Sequence, residues 1–177
     1  RRGAGQLFSR KNVAKISVLP ARPKLVDFFR LRFSTGTVAH CLKSAAHALA
    51  DGQPERNIMA ALVHDISLNL VKADHAWWGT DLIAPYVDER IAWAIRHHQA
   101  LRFFPDNEVG YEFPELYHCI FGRDYEPEPY IVAAYDSARR HRWYMDARMI
   151  TVNDTYGFVD GPPPEIDDFI DIIGRHW

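Results

Sequence analysis

The run Ile58-Met59-Ala60-Ala61-Leu62-Val63-His64-Asp65-Ile66 decides how this chain is read. Pro54 at a helix N1 position and Glu55 in the first turn open a helix that carries His64 and Asp65 inward. Ala60 and Ala61 lie one turn before His64, and Ala61 and Leu62 one turn before Asp65, so both polar groups face protein. An imidazole and a carboxylate withdrawn from water are costly unless hydrogen bonds or a metal ion satisfy them. On the dipeptide alone two readings stand: a core His-Asp hydrogen bond without metal, or a pair of metal ligands.

The 177 residues carry a formal net charge of −2 and 47% hydrophobic side chains. That suits one globular domain with a sizeable core and argues against wholesale disorder. A near-neutral balance gives no support to a nucleic-acid partner. Cys41 and Cys119 stand far apart with no CxxC, and read as reduced thiols of a cytoplasmic protein. No apolar run approaches the roughly 20 residues needed to cross a bilayer, so no membrane partner is expected. Residues 1–26 hold Arg1, Arg2, Arg10, Lys11, Lys15, Arg22 and Lys24 without an acid. They read as a basic arm ahead of a single domain over 27–177, with a transit-like leader as the other reading.

Helical signals fill the rest of the chain. Helices are expected near 24–33, over 37–50 with Ser34 or Thr35 as cap and Gly52 as stop, and over 54–68. Two more follow, from His75 to about Pro85 and from Val87 to Phe103, ended by Pro105. Residues 105–128 read as a long ordered loop or broken helix. Pro129 opens a sixth helix through about Tyr144, residues 151–164 read as a loop, and a short terminal helix follows. Strand alternation and internal repeats are missing, and the fold class is all-α, a compact helical bundle.

Other residues could carry chemistry on that frame. On an ideal helix Val38, Leu42, Ala45 and Leu49 make an apolar stripe and His40 lies almost opposite, which alone reads as a solvated histidine. His75 is a capping-region histidine or a ligand at a helix start. His97 and His98 diverge by about 100°, so they cannot serve one site equally. Ile91, Ala94, Ile95 and Leu101 put His98 nearer the apolar face, and both histidines are kept. Arg102, one turn on, is a surface arginine or a receiver for an anionic substrate group. Asp136, one turn after Val132 and Ala133, calls for a cation: a metal, or Arg139 or Arg140.

The ordered series His40, His64-Asp65, His75, His97-His98, Asp136, on successive helices, resembles the HD superfamily of metal-dependent enzymes over roughly residues 35–140. The extra histidines resemble its subset that holds two metals, a mixed-valent diiron group that includes myo-inositol oxygenase and phosphonate-degrading oxygenases. The resemblance implies a helical bundle of the HD-domain type and promotes His40 to a ligand. It implies one metal on His40, His64 and Asp136, a second on His75 and His97 or His98, and Asp65 as bridge. The chain departs from some phosphonate oxygenases, which follow the His-Asp pair with glycine and histidine where Ser67 and Leu68 stand here.

Four histidines and two carboxylates without thiolate favour iron, manganese, cobalt or zinc over magnesium. By the resemblance, the leading expectation is a diiron Fe(II)/Fe(III) oxygenase using O2 to cleave a C–P or C–C bond. Its substrate would be a small hydroxylated anion, with Asp65 and Arg102 in the catalytic machinery. The alternative is a metal-dependent phosphohydrolase acting on a nucleotide or phosphoester through a metal-activated water. Trp77, Trp78 and the Tyr and Phe residues of 103–125 read either as core or as the wall of the substrate pocket, and on the second reading they would attract a quaternary ammonium group.

Overall fold

The computed structural model describes residues 17–177, so the expected basic arm lies largely outside the described residues. Nine α-helices and no strand occur among them: α1 Leu25–Leu31, α2 Thr35–Ala50, α3 Glu55–Val63, α4 His75–Ile83, α5 Glu89–Leu101, α6 Glu115–Phe121, α7 Pro129–Ala138, α8 Tyr144–Tyr156 and α9 Ile170–His176. A 3-10 turn, Ile166–Phe169, leads into α9. The helical body begins before residue 27, because Leu25 is 1% exposed and part of the core.

Local chemistry sets the ends of these helices. Ser34 caps α2, its hydroxyl accepting from the Thr37 amide at 3.2 Å, and Gly52 leaves the helix at φ 68°. Asp88 caps α5 by accepting from the Ile91 amide at 2.9 Å. Each such cap is worth about 1 kcal/mol. Inside α3, Ile58 through Val63 are all buried, so this helix is enclosed on every side. Truncating Leu62, fully buried, to alanine would cost about 2–5 kcal/mol.

Helices α2, α3, α5 and α8 pack on one another and enclose the core, with α4 and α7 against α5 and α9 against α3. One charged clasp fixes their register. Asp146, buried in the first turn of α8, accepts from Arg56 of α3 at 3.1 Å and from two guanidinium nitrogens of Arg90 of α5 at 2.6 and 3.1 Å. The first turns of α3, α5 and α8 therefore meet at one pole. His64, His98 and Asp154 each follow their clasp residue by eight residues, about 12 Å of helix. The clasp thus brings three polar side chains to a common level at the other pole.

Three expectations from sequence are corrected. Helix α3 stops at Val63 rather than near residue 68: His64 is its C-cap, and consecutive turns run over 64–70. The sixth helix ends at Ala138, and a separate helix, α8, occupies residues read in part as loop. Its buried Asp146, Arg148, Asn153 and Asp154 break the apolar period that would have revealed it. Within 105–128 a two-residue antiparallel bridge, Asp106 with Tyr111, precedes α6.

Candidate metal centre

Six side chains converge where α3, α5 and α8 end. His40, His64, Asp65 and Asp154 offer ligand atoms lying within 4.8 Å of one another, and Asp65, His75 and His98 form a second such group. Asp65 belongs to both. Five of the six are buried, and the sixth, His40, has a side chain only 12% exposed.

Main-chain geometry aims the rings. His64 Nδ1–H donates to the Ala61 carbonyl at 2.7 Å, His98 Nδ1–H to Ile95 at 2.6 Å, and His75 Nδ1–H to Lys72 at 3.1 Å. A carbonyl can only accept, so these three Nδ1 atoms carry the protons. Each Nε2 then presents a lone pair to the cluster unless the ring becomes imidazolium. His75 owes its place to the tight connection after His64-Asp65. Asp74 turns the chain through left-handed backbone at φ 56°, a conformation Asp tolerates better than most residues, and Ser67 donates to the His75 carbonyl at 2.7 Å.

The distances suit donors that could share a cation. His40 and His64 bring their Nε2 atoms to 3.3 Å, and His40 Nε2 lies 2.8 Å from Asp154 Oδ1. His64 Nε2 is 3.7 Å from Asp65 Oδ1 and 3.6 Å from Asp154 Oδ1. On the other side, Asp65 Oδ1 lies 3.0 Å from His75 Nε2 and 3.7 Å from His98 Nε2. Two atoms bonded to one ion at about 2.0–2.2 Å stand roughly 3–3.5 Å apart, the spacing seen here. Asp65 Oδ1 is buried with no hydrogen-bond partner, although His75 Nε2 stands 3.0 Å away, because with its proton on Nδ1 that ring offers a lone pair there. A buried carboxylate oxygen left so is costly. A metal ion would satisfy it and the lone pairs together, so the buried His and Asp groups could hold metal.

Electrostatics agree with a site built for positive charge. Burial would raise the pKa of Asp65, but the charge of His64 and the close imidazoles of His75 and His98 hold it well below the usual carboxylate range. Burial likewise opposes the low pKa of Asp154, and His40 and His64 outweigh it. Burial disfavours charge on His64, yet Asp65, Asp154 and Cys41 keep its pKa well above the ordinary value. For His98 burial wins, against Asp65, and pushes it down to about 4.

The structure leaves two sequence candidates outside. Asp136 has a side chain 47% exposed and accepts from Arg139 at 3.0 Å, the structural alternative to a metal. The residues that suggested burial, Val132 and Ala133, are themselves exposed. The second carboxylate of the cluster is instead Asp154, which sequence reasoning missed because it lay in a stretch taken for loop. A signal did exist: Ala147, Ile150 and Thr151 stand seven, four and three residues before it, on one helical face. His97 packs at a tilt against Trp93, ring centroids 4.3 Å apart, and lies outside both ligand groups, so the cluster takes His98. The buried face of helix α2 is wider than the apolar stripe expected: Leu42 and Ala45 are buried as expected and Leu49 is 47% exposed, while Thr37, Cys41, Ser44 and Ala48 are also buried and His40 turns inward beside them.

A cavity of about 570 Å³ opens onto the cluster, reaching Asp65, His75 and Asp154 and walled by Arg102, Tyr117 and Phe121. Arg102 does face this cavity. Its guanidinium sits 5.0–5.5 Å from the rings of Phe103, Tyr117 and Phe121, and its buried Nε has no partner. The aromatic wall is thus already engaged by a cation of the protein itself. Trp77 and Trp78, expected in that wall, are about half exposed on α4, where Arg96 covers Trp77 at 4.0 Å. Tyr117 donates to Asp154 Oδ2 at 2.7 Å, leaving Oδ1 for the cluster. Among the described residues no helix is long and apolar enough to cross a membrane. In comparison with known proteins, no family model matches this chain and no curated protein matches it.

Proposed function

We propose that this chain is a dinuclear metalloenzyme of the HD type, acting as a non-haem diiron oxygenase on a small hydroxylated, anionic substrate. One observation carries the reading: Asp65 belongs to two histidine groups at once, beneath a cavity that also holds Arg102. His40, His64, Asp65 and Asp154 would hold one ion, and Asp65, His75 and His98 the other. A mixed-valent iron pair would supply a Lewis acid for the substrate hydroxyl and electrons for O2, so that a C–P or C–C bond is cleaved.

The protein's own groups do the rest. The three Nδ1–H bonds hold the imidazoles in one tautomer and orientation. Tyr117 fixes the rotation of Asp154. Arg102 receives the anionic end of the substrate, its free Nε buried at the cavity wall. The cavity is lined by two cations, Lys72 and Arg102, against the exposed acids Asp74 and Glu128. That balance suits one small anionic group better than the polyphosphate of a nucleotide, and for this reason the oxygenase stands ahead of the phosphohydrolase.

Metal analysis of anaerobically purified protein with an EPR spectrum tests the reading, followed by oxygen-uptake screening across hydroxyphosphonates, polyols and hydroxy acids. Two irons per chain, a half-integer mixed-valent signal and substrate-dependent O2 consumption are expected. Zinc or manganese with phosphate release from nucleotides and no O2 uptake would establish the hydrolase instead.

A further inference from the structure

The cluster has a second opening. A separate cavity of about 360 Å³ lies on the side of His40, lined by Gly36, Thr37, Ala39 and Asn69, with His40 and Asp65 also on its wall. Leu68, Asn69 and Phe158 line this cavity and the larger one alike, so they form the partition, and Asp65 is reached from both sides. Gly36 and Asn69 are exposed at the outer end, while Asp65 is buried at the inner end. The two openings differ in chemistry. The larger holds Lys72 and Arg102 and a wall of aromatic rings. The smaller has no cation, two glycines, and hydroxyl and amide groups from Ser34, Thr37 and Asn69. The amide of Asn69 donates to both hydroxyls at 2.6 Å, so these polar groups are already satisfied by one another.

We infer that the His40-side cavity is the route by which a small neutral co-reactant, O2 under the oxygenase reading on which this rests, reaches the metals. An anionic substrate held by Arg102 occupies the larger cavity and stands on the path from that opening to the cluster. A second reactant arriving afterwards needs another way in. The smaller cavity offers no lysine or arginine to hold an anionic substrate, and apart from Asp65 Oδ1 at its inner end its hydroxyl and amide groups already bond one another. It admits uncharged small molecules and retains none of them.

Gly36 allows the route to be closed. A Cβ built there meets no atom within 4 Å, so a side chain enters without disturbing the backbone. The probe is nitric oxide, a neutral diatomic that binds ferrous iron whether or not the protein turns over O2. Its association with the anaerobic iron-loaded protein is followed by stopped-flow absorbance, with inorganic phosphate saturating the larger cavity. Wild-type protein should bind nitric oxide at the same rate with and without phosphate. Gly36→Phe should slow association at least tenfold and leave the phosphate Kd unchanged. Arg102→Ala should weaken phosphate at least tenfold and leave the nitric oxide rate alone. Gly36→Leu, a smaller plug, gives the same comparison should the phenylalanine variant fail to fold. An unchanged rate in the plugged variant, blockage by phosphate in the wild type, or no iron–nitrosyl adduct at all would overturn the route. Oxygen-uptake and phosphate-release assays on the wild type decide the oxygenase reading separately.

Discussion

Gly157 is where a single methyl group should separate the two halves of the cluster. It ends α8 with φ −60°, ordinary helical backbone, so glycine is not required there for conformation. By backbone criteria alone, Gly157→Ala would stabilise the protein by about 0.4–1 kcal/mol. Its surroundings reverse the sign. A Cβ at this position would stand 2.2 Å from His40 Nδ1, 2.4 Å from His40 Cε1 and 2.8 Å from Ser44 Oγ. Ordinary contact begins near 3.4 Å, so the imidazole must retreat by about 1.2 Å, the difference between 3.4 and 2.2 Å. A metal ligand tolerates about 0.2 Å. His40 would also lose its 2.8 Å contact with Asp154. The variant should therefore lose the ion held by His40, His64, Asp65 and Asp154 and keep the one held by Asp65, His75 and His98. Overpacking of this kind costs about 1–3 kcal/mol. For a domain of this length that lowers Tm by roughly 2–12 °C. Metal stoichiometry and thermal melts measure both effects, and a double-mutant cycle assigns them, since His40→Ala removes the atoms in the way. The double variant His40→Ala/Gly157→Ala should melt at or above the temperature of Gly157→Ala. Two metal equivalents and an unchanged Tm in Gly157→Ala would refute the reasoning.

Asp65→Ala should remove both metals, because the shared carboxylate is lost to each group, and retention of two equivalents would end its role as bridge. His98→Ala should lose the second ion, whereas His97→Ala, removing a ring packed at a tilt against Trp93, should keep normal stoichiometry; equal effects in a metal titration would contradict the placement. Asp154→Asn should lower metal affinity at least tenfold, while Asp136→Asn should change stability by less than about 0.5 kcal/mol, as an exposed ion pair does. Asp146→Ala should lower stability by about 1.5–3 kcal/mol through loss of charge-assisted hydrogen bonds, and weaken metal binding from some 12 Å away by freeing the register of α3, α5 and α8. Chemical denaturation together with metal titration would show whether the two effects arise together.

The all-α class and the inward pair His64-Asp65 were legible because apolar residues announce helices and because a polar pair inside an apolar run stands out. His98 was legible over His97 by the same periodicity. What escaped was a helix whose inner face is polar. Asp146, Arg148, Thr151, Asn153 and Asp154 are all buried on α8, each held by a partner from elsewhere in the fold or from the helix itself. Arg148 alone, fully buried, donates to the Leu101 carbonyl at 3.0 Å and to Tyr144 at 3.1 Å. Such partners come from residues up to about a hundred positions away, and hydropathy along the chain cannot register them. With the second half of α8 taken for loop, a carboxylate had to be sought earlier. Asp136 was the nearest one following an apolar pair, on a helix that in fact turns that pair to solvent.

The polar face of α8 and the cluster follow from one constraint. Helices α3, α5 and α8 share the Asp146 clasp at their first turns, so their last turns converge at the opposite pole. Each helix C-terminus carries partial negative charge from its unpaired carbonyls, and each favours a nearby cation by about 0.3–1 kcal/mol. His64 is the C-cap of α3, and His98 and Asp154 lie in the last turns of α5 and α8. Three such ends and two carboxylates make a pole that is unfavourable without positive charge. Protons on imidazoles can supply part of that charge, as at His64, but at His98 burial works against it and wins. Metal ions supply it without protonating any ring and use every lone pair that the Nδ1–H bonds leave free. A cluster that could hold metal is therefore suited to this pole by the helix directions as much as by the side chains.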